Sequence, residues 1–472
     1  MSSITKKSNN LPLHFSDKSF WKAALTLAIP IALQNMLTAS FSLIDTLMVG
    51  QLGDIALSST GMAGQWSWLL NMVIFGIASG ASVFISQYWG NKDIDGIHRS
   101  LGIASASGFI LSIIFMIVAA IAPEGVVRIF NKNPEVIASG ADYLRYACYS
   151  YPAIALTSIF GSTLRSTEKV RLPMVVSGIS AVANGILNYI LIFPANLGVK
   201  GAAIATVISS WFGLALLVVI SLAQKNIIIA PPKKLFSFTG ASLFEFFKKT
   251  SPVILNETMW GLGTVIYNII FANIGHEEYA AITIVRTFEN LLFCFFIGIC
   301  NACCVMVGKE IGSGEIREAV RDTKRFNIIM PILSVVIGAV AILLRSPLVS
   351  LFNIGEQVSA YTLGIAEYII IIYGVWIAVR NIPFLLIVGI FRPGGDTTTG
   401  MKWEIFILWL FAIPVTAIMA YWVKLPFLAV YATMYLCEDI PKSIIFLIHY
   451  FKGKWIRPVT SEGRAALEEY NR

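Results

Sequence analysis

Twelve runs of mostly apolar residues divide this chain of 472 residues, each long enough to cross a bilayer core of about 30 Å as a helix. They lie near residues 23–50, 60–88, 101–122, 141–164, 172–195, 201–223, 250–274, 279–307, 326–344, 358–391, 403–423 and 427–451. In a membrane every backbone polar group must be satisfied internally, so such runs predict helices rather than an open sheet. Composition agrees, with 56% hydrophobic and only 13% charged residues, where soluble domains carry about 25% charged. The net charge of +8 does not indicate nucleic acid, because the basic residues are scattered between apolar runs rather than gathered on one face.

The placement of those basic residues predicts topology instead. Counting the leader, alternate loops and the tail, 26 Lys and Arg fall on the side of the termini, against five (Arg128, Lys132, Lys200, Arg345 and Lys424) in the opposite loops. The positive-inside rule then puts both termini in the cytoplasm. The polar leader before Lys22 lacks the short apolar core and small-residue cleavage site of a signal peptide, so the first run is read as a retained span in a multi-pass protein of the cell membrane. The six cysteines fall in predicted spans, which argues against a disulfide framework. Cys300 and Cys303 form a C-x-x-C without histidine or a second pair, and we expect no metal.

The chain repeats weakly on itself at an offset of 222 residues: Pro30 falls on Pro252, Leu33 on Leu255, Gly53 on Gly275, Gly76 on Gly298, Gly90 on Gly312 and Arg99 on Arg321. Six spans per half make the halves parallel repeats. The expected layout is an N-terminal lobe at 1–223, a cytoplasmic linker at 224–249, a C-terminal lobe at 250–451 and a cytoplasmic tail at 452–472. Two lobes around a central cleft suit alternating access, and the absence of G-x-x-x-x-G-K-[ST] leaves no evident use of ATP. A secondary transporter follows.

Against that background one residue stands out: from Ala23 to Gly53 the single ionisable side chain is Asp45. An aspartate near the middle of a span costs about 2.5–3.5 kcal/mol, so it needs a neutralising partner or a function. Asn184 and Asn188, four apart in the fifth span, share a face that can direct both amides at Asp45. The intramembrane Arg380 needs a partner, for which Glu257 is the expected carboxylate, and Arg286 and Glu289 are expected to pair on the eighth span. Proton coupling is then favoured over sodium, because a paired Glu257 offers a sodium ion no net charge. Trp260, Tyr267, Tyr373 and Trp376 offer aromatic faces to flat or cationic molecules. Pro30 and Pro252 are expected kinks or hinges.

The strings IDTLMVGQLG at 44–53, QYWGNKD at 87–93, LNETMWGLG at 255–263 and FRPGGDT at 391–397 together resemble the multidrug and toxic compound extrusion (MATE) family. That resemblance, running from about Trp21 to Lys454, implies an all-α integral membrane protein with two six-helix lobes. It implies export of bulky, often cationic and amphipathic compounds in exchange for protons or sodium ions, with no other cofactor. Asp45 matches an aspartate implicated in cation coupling, and Glu257 matches a glutamate that another branch uses so. Asn188 stands where one branch has a second aspartate, and Asn381 falls near a further aspartate of the sodium-coupled branch. Asn35 is the counterpart of Glu257 in the first half and joins the cleft candidates. A monomer is expected, with small organic substrates, a coupling ion and the bilayer as its partners.

Two other readings remain. A flippase of lipid-linked saccharides requires a strongly cationic cavity, and the spans offer chiefly Arg380 and Arg286. A membrane-embedded lipid-modifying enzyme requires clustered acid, base or metal ligands, whereas the four histidines are dispersed.

Overall fold

The computed structural model describes residues 15–350 and 358–472. Residues 1–14, most of the polar leader, lie outside the described residues. Helices account for nearly all the ordered backbone, and among the described residues the β-contact is a single antiparallel bridge between Gly395 and Ile456.

Helical segments follow the apolar runs in order. We label them α1 (Lys18–Gly50), α2 (Asp54–Gly90), α3 (Ile94–Ile121), α4 (Pro134–Ala147, continued by Tyr151–Ser166), α5 (Arg171–Ile192), α6 (Gly198–Ala223), α7 (Gly240–Ile274), α8 (His276–Gly312), α9 (Ile316–Leu343), α10 (Ala360–Phe384, extended by the π-wound Leu385–Phe391), α11 (Thr397–Ile407, continued to Tyr421) and α12 (Phe427–Phe451). Among the described residues, nine are long and apolar enough to cross a membrane. The other three stand at the remaining predicted positions: α4 is interrupted at Cys148–Ser150 into two shorter segments, and α7 and α12 carry more polar residues. In α12 these include Glu438, Asp439 and Lys442.

Two compact units make up the chain, Leu33–Ile254 on the one hand and Met1–Ala32 with Leu255–Arg472 on the other. The sequence reading set the lobe limits at a loop, whereas these limits fall inside α1, after Ala32, and inside α7, after Ile254. Both lie two residues beyond a repeat proline, Pro30 or Pro252.

Small residues explain which neighbours those helix halves take. Within Leu33–Ile254, a Cβ on Gly76 of α2 would stand 2.7 Å from the Cα of Ile254, and one on Gly80 would stand 2.4 Å from Thr250 Cγ2. Within the other unit, a Cβ on Gly298 of α8 would stand 2.6 Å from the carbonyl oxygen of Ala28. No side chain fits at such separations, so glycine lets α2 lie on the first half of α7, and α8 on the first half of α1. Cys300 and Cys303, one turn further along α8, are fully buried, where a Cβ on Gly389 would lie 3.3 Å from that of Cys303. Their role here is close packing.

The tail is not loose polar chain. Trp455 is 2% exposed and stacks on Tyr450, Arg457 N–H donates to the Gly394 carbonyl at 2.6 Å, and Thr460 Oγ1 donates to Gly312 at 3.1 Å. A further helix, α13 (Ser461–Asn471), follows. At the RPGG turn, Gly395 adopts φ 87°, which a side chain would strain.

Asp396 fastens this end: its Oδ2 accepts from His449 Nε2 at 2.7 Å, and its Oδ1 meets Arg457 at 2.9 Å and caps α11 through Thr399. Burial raises the Asp396 carboxyl, but the His449 and Thr399 hydrogen bonds and the Arg457 charge hold it below its usual value. Its contribution to stability is therefore complete above the unfolded value of about 3.9 and is lost as pH falls through the lower folded value. Asp396→Asn should cost about 2–3 kcal/mol at neutral pH. In thermal unfolding measured against pH, the gap to wild type should close on acidification below about pH 4; a constant gap would show that the carboxylate charge plays no part.

Candidate functional site

Polar clusters lie within the otherwise apolar helix bundles of both units, and two of them hold the sequence candidates Asp45 and Glu257. In Leu33–Ile254 the first centres on Asp45. Asn188, 1% exposed, donates to Asp45 Oδ1 at 2.6 Å. One turn away on the same face of α5, Asn184 sets its terminal amide 2.9 Å from both Asp45 oxygens; with the nitrogen turned to that side it donates to the carboxylate and its oxygen accepts from Ser209 of α6 at 3.1 Å. The i, i+4 spacing thus does what the sequence suggested.

Two further polar residues of this unit were not among the sequence candidates. Tyr143 of α4 is an electrostatic neighbour of Asp45 and lies close to Thr206. Nearer the cytoplasmic end, as the basic-residue count orients the chain, Gln34 donates to Ser177 at 2.9 Å and faces the Arg165 guanidinium at 3.5 Å. A tyrosine and a glutamine carry no formal charge, so charge counting does not find them. Among the described residues no cationic side chain hydrogen-bonds Asp45, whose carboxylate is held there by neutral amides.

In the second unit, Glu257 of α7 forms an ion pair with Arg392, at the end of the π-wound extension of α10. The two side chains are 12% and 3% exposed. This corrects the expected Glu257–Arg380 pair. Arg380 instead donates to Tyr435 at 3.0 Å, sits 5.4 Å from the centre of that ring, and is an electrostatic neighbour of Glu289. Glu289 accepts from Tyr431 at 3.3 Å and makes no ion pair with Arg286. Asn381, 1% exposed, donates to Ser334 of α9 at 2.9 Å.

The aromatic candidates separate. Tyr267 and Tyr373 are buried inside their unit, 5% and 4% exposed, and Tyr267 stacks on Phe271. Neither presents a face to a substrate as it stands. Trp260, Trp376 and Asn35 are partly buried.

A family model described as MatE matches residues 30–190 and again 252–418, two copies whose first residues are the repeat prolines. The chain belongs to the MatE family. Its members are transporters, not enzymes, and need no cofactor, so this is a multi-pass membrane protein of the multidrug-efflux kind. It is 25% identical over 445 residues to a probable multidrug resistance protein, NorM, of Thermotoga maritima, with 92% of this chain and 93% of that protein covered. Two solved structures share the fold. One is a MATE protein in a bent conformation, with TM-score 0.84, 16% identity, and 96% and 97% of the chains covered. The other is an outward-facing multidrug resistance MATE transporter, with TM-score 0.83, 15% identity, and 96% of each chain covered.

The ion pair of the second cluster is open to a direct test. Glu257→Gln leaves the buried Arg392 guanidinium without this carboxylate, a loss of about 3–5 kcal/mol for a buried pair. Adding Arg392→Gln should recover part of the melting temperature, whereas adding Arg380→Gln should recover none. Rescue by Arg380→Gln would restore the pairing that the geometry rejects.

Proposed function

We propose that this MatE transporter is a proton-coupled antiporter in the cell membrane, exporting organic, often cationic or amphipathic compounds by alternating access, with Asp45 as its principal coupling residue. The observation that carries this reading is the contrast between the two clusters. Glu257 already faces a fixed positive charge, whereas Asp45 meets only amides. A negative charge that no cation cancels is where an incoming ion gains most. Amide N–H groups crowd the Asp45 oxygens, which disfavours sodium, an ion that needs several oxygen ligands. A proton needs one oxygen and an acceptor for the resulting O–H, and a flip of either amide supplies that acceptor. Asn188 Oδ1 is buried without a hydrogen-bond partner. Asn184, Asn188 and Tyr143 would then tune the site, and Glu257 with Arg392 would respond to the same cycle.

In this reading the chain acts as a monomer with twelve spans, and both termini and the 224–249 linker face the cytoplasm. Pro30 and Pro252 serve as hinges, each two residues before its helix leaves one unit for the other. The structural relative in a bent conformation is consistent with such bending.

Efflux of a fluorescent organic cation from proteoliposomes tests the coupling. Wild type should respond to an imposed pH gradient and not to a sodium gradient, and Asp45→Asn should abolish the response while substrate counterflow persists. Drive by sodium alone would refute proton coupling. Retained pH-driven efflux in Asp45→Asn would move the coupling elsewhere. In a version lacking native cysteines, Lys233→Cys should resist an impermeant thiol reagent applied outside intact cells; labelling there would invert the topology. Replacing both Pro30 and Pro252 by alanine should slow efflux more than it weakens substrate binding. Unchanged efflux would leave the prolines without a hinge role.

A further inference from the structure

Helix α12 runs from Phe427 to Phe451 with Asp439 at its centre, so about 18 Å of helix extends to each side. That is the depth at which an acid is least tolerated. Asp439 is 6% exposed, and among the described residues its carboxylate receives no hydrogen bond and no ion pair.

The charges around it are already engaged. Lys442, one turn along α12, is 4% exposed and bridges Glu438 at 2.7 Å and Glu404 of α11 at 3.3 Å. Arg380 of α10 donates to Tyr435 and neighbours Glu289. The electrostatic neighbours of Asp439 are thus Glu438 and Lys442 on its own helix, Arg380 from α10, Glu404 from α11 and Tyr267 from α7. Glu404, Glu438, Asp439 and Glu289 face Lys442 and Arg380, an excess of two negative charges in the apolar interior of one unit. Two further groups point to a ligand. The Tyr267 hydroxyl is buried beside Glu438 without a hydrogen-bond partner of good geometry. Pro441 has no N–H to give the Cys437 carbonyl, so an acceptor is freed one turn before it, next to the acidic pair.

We propose that Asp439 is a proton-binding site of the second unit, set in the Glu404–Lys442–Glu438–Tyr267 cluster and loading and unloading during the transport cycle. The proposal rests on the proton-antiport reading and adds a site to it. An O–H bond forms on Asp439 with a proton taken from water and breaks when that proton returns to water; no electrons move. Sodium is disfavoured because the ammonium of Lys442 and the guanidinium of Arg380, both electrostatic neighbours of Asp439, repel a metal cation. A proton cancels the charge without a coordination shell.

Infrared difference spectroscopy on the purified full-length protein reads the site directly. Read in an Asp45→Asn background, so that Asp45 adds no acid band of its own, the protein should show the C=O stretch of a protonated carboxylic acid that fades as pH rises and ignores sodium. Asp439→Asn should lack this band, and Asp439→Glu should show it displaced. Asp439→Asn removes an unpaired buried acid, so it should melt no lower than wild type. In proteoliposomes it should keep counterflow and lose pH-gradient-driven efflux. A band that persists in Asp439→Asn, that never titrates, or that sodium removes would overturn the proposal, as would full pH-driven efflux in that variant. If wild type shows no pH-driven efflux while the band still titrates and vanishes in Asp439→Asn, the antiport reading fails and the proton site stands.

Discussion

Taking a carboxylate out of water costs several kcal/mol unless something neutralises it, and the interior of this chain holds such groups on helices from both halves. They are handled in different ways. Glu257 is matched by one guanidinium, Glu404 and Glu438 share one ammonium, and Asp45 is held by amides that carry no charge. An acid balanced by a fixed cation can stay ionised throughout, whereas an acid surrounded by neutral donors changes its energy sharply with proton occupancy. That difference, more than the number of acids, is what supports the coupling role proposed for Asp45.

Positioning these groups depends on how closely the helices approach. Gly76 and Gly298, equivalent in the repeat, are two points where a neighbouring backbone lies too close for any side chain. Each brings the first half of α7 or α1 into its unit, and the helix then continues into the other unit just beyond a proline. Asp45 and Glu257 both lie in the second parts of these helices. Bending at Pro30 or Pro252 would therefore bear on the acids as well as on the helix axis.

Much of this could be read from residues alone. The apolar runs marked the helices, the glycine and proline register marked the repeat, and the four-residue spacing of Asn184 and Asn188 brought both to Asp45. Partner choice could not be read that way. Arg380 lies inside a span, while Arg392 looks like a loop residue in FRPGGDT; the π-wound stretch Leu385–Phe391 carries the helix on to bring Arg392 against Glu257. Tyr267 and Tyr373 look like substrate platforms because an aromatic pattern does not say which face a helix turns inward. The tail reads as solvated chain by charge, yet its Trp455, packed against Tyr450 and the RPGG turn, holds it in place. Asp439 is not legible as unpaired beside Glu438 and Lys442, because the sequence does not show that Lys442 bridges Glu438 and Glu404 instead.

The most direct test of an antiporter that exchanges substrate for protons is the proton balance of binding itself. Purified protein in weakly buffered detergent solution, titrated with a transported organic cation, should release protons on substrate binding, to the same extent with or without sodium, and Asp45→Asn should release fewer. Substrate binding with no proton release, or with release only when sodium is absent, would contradict proton coupling.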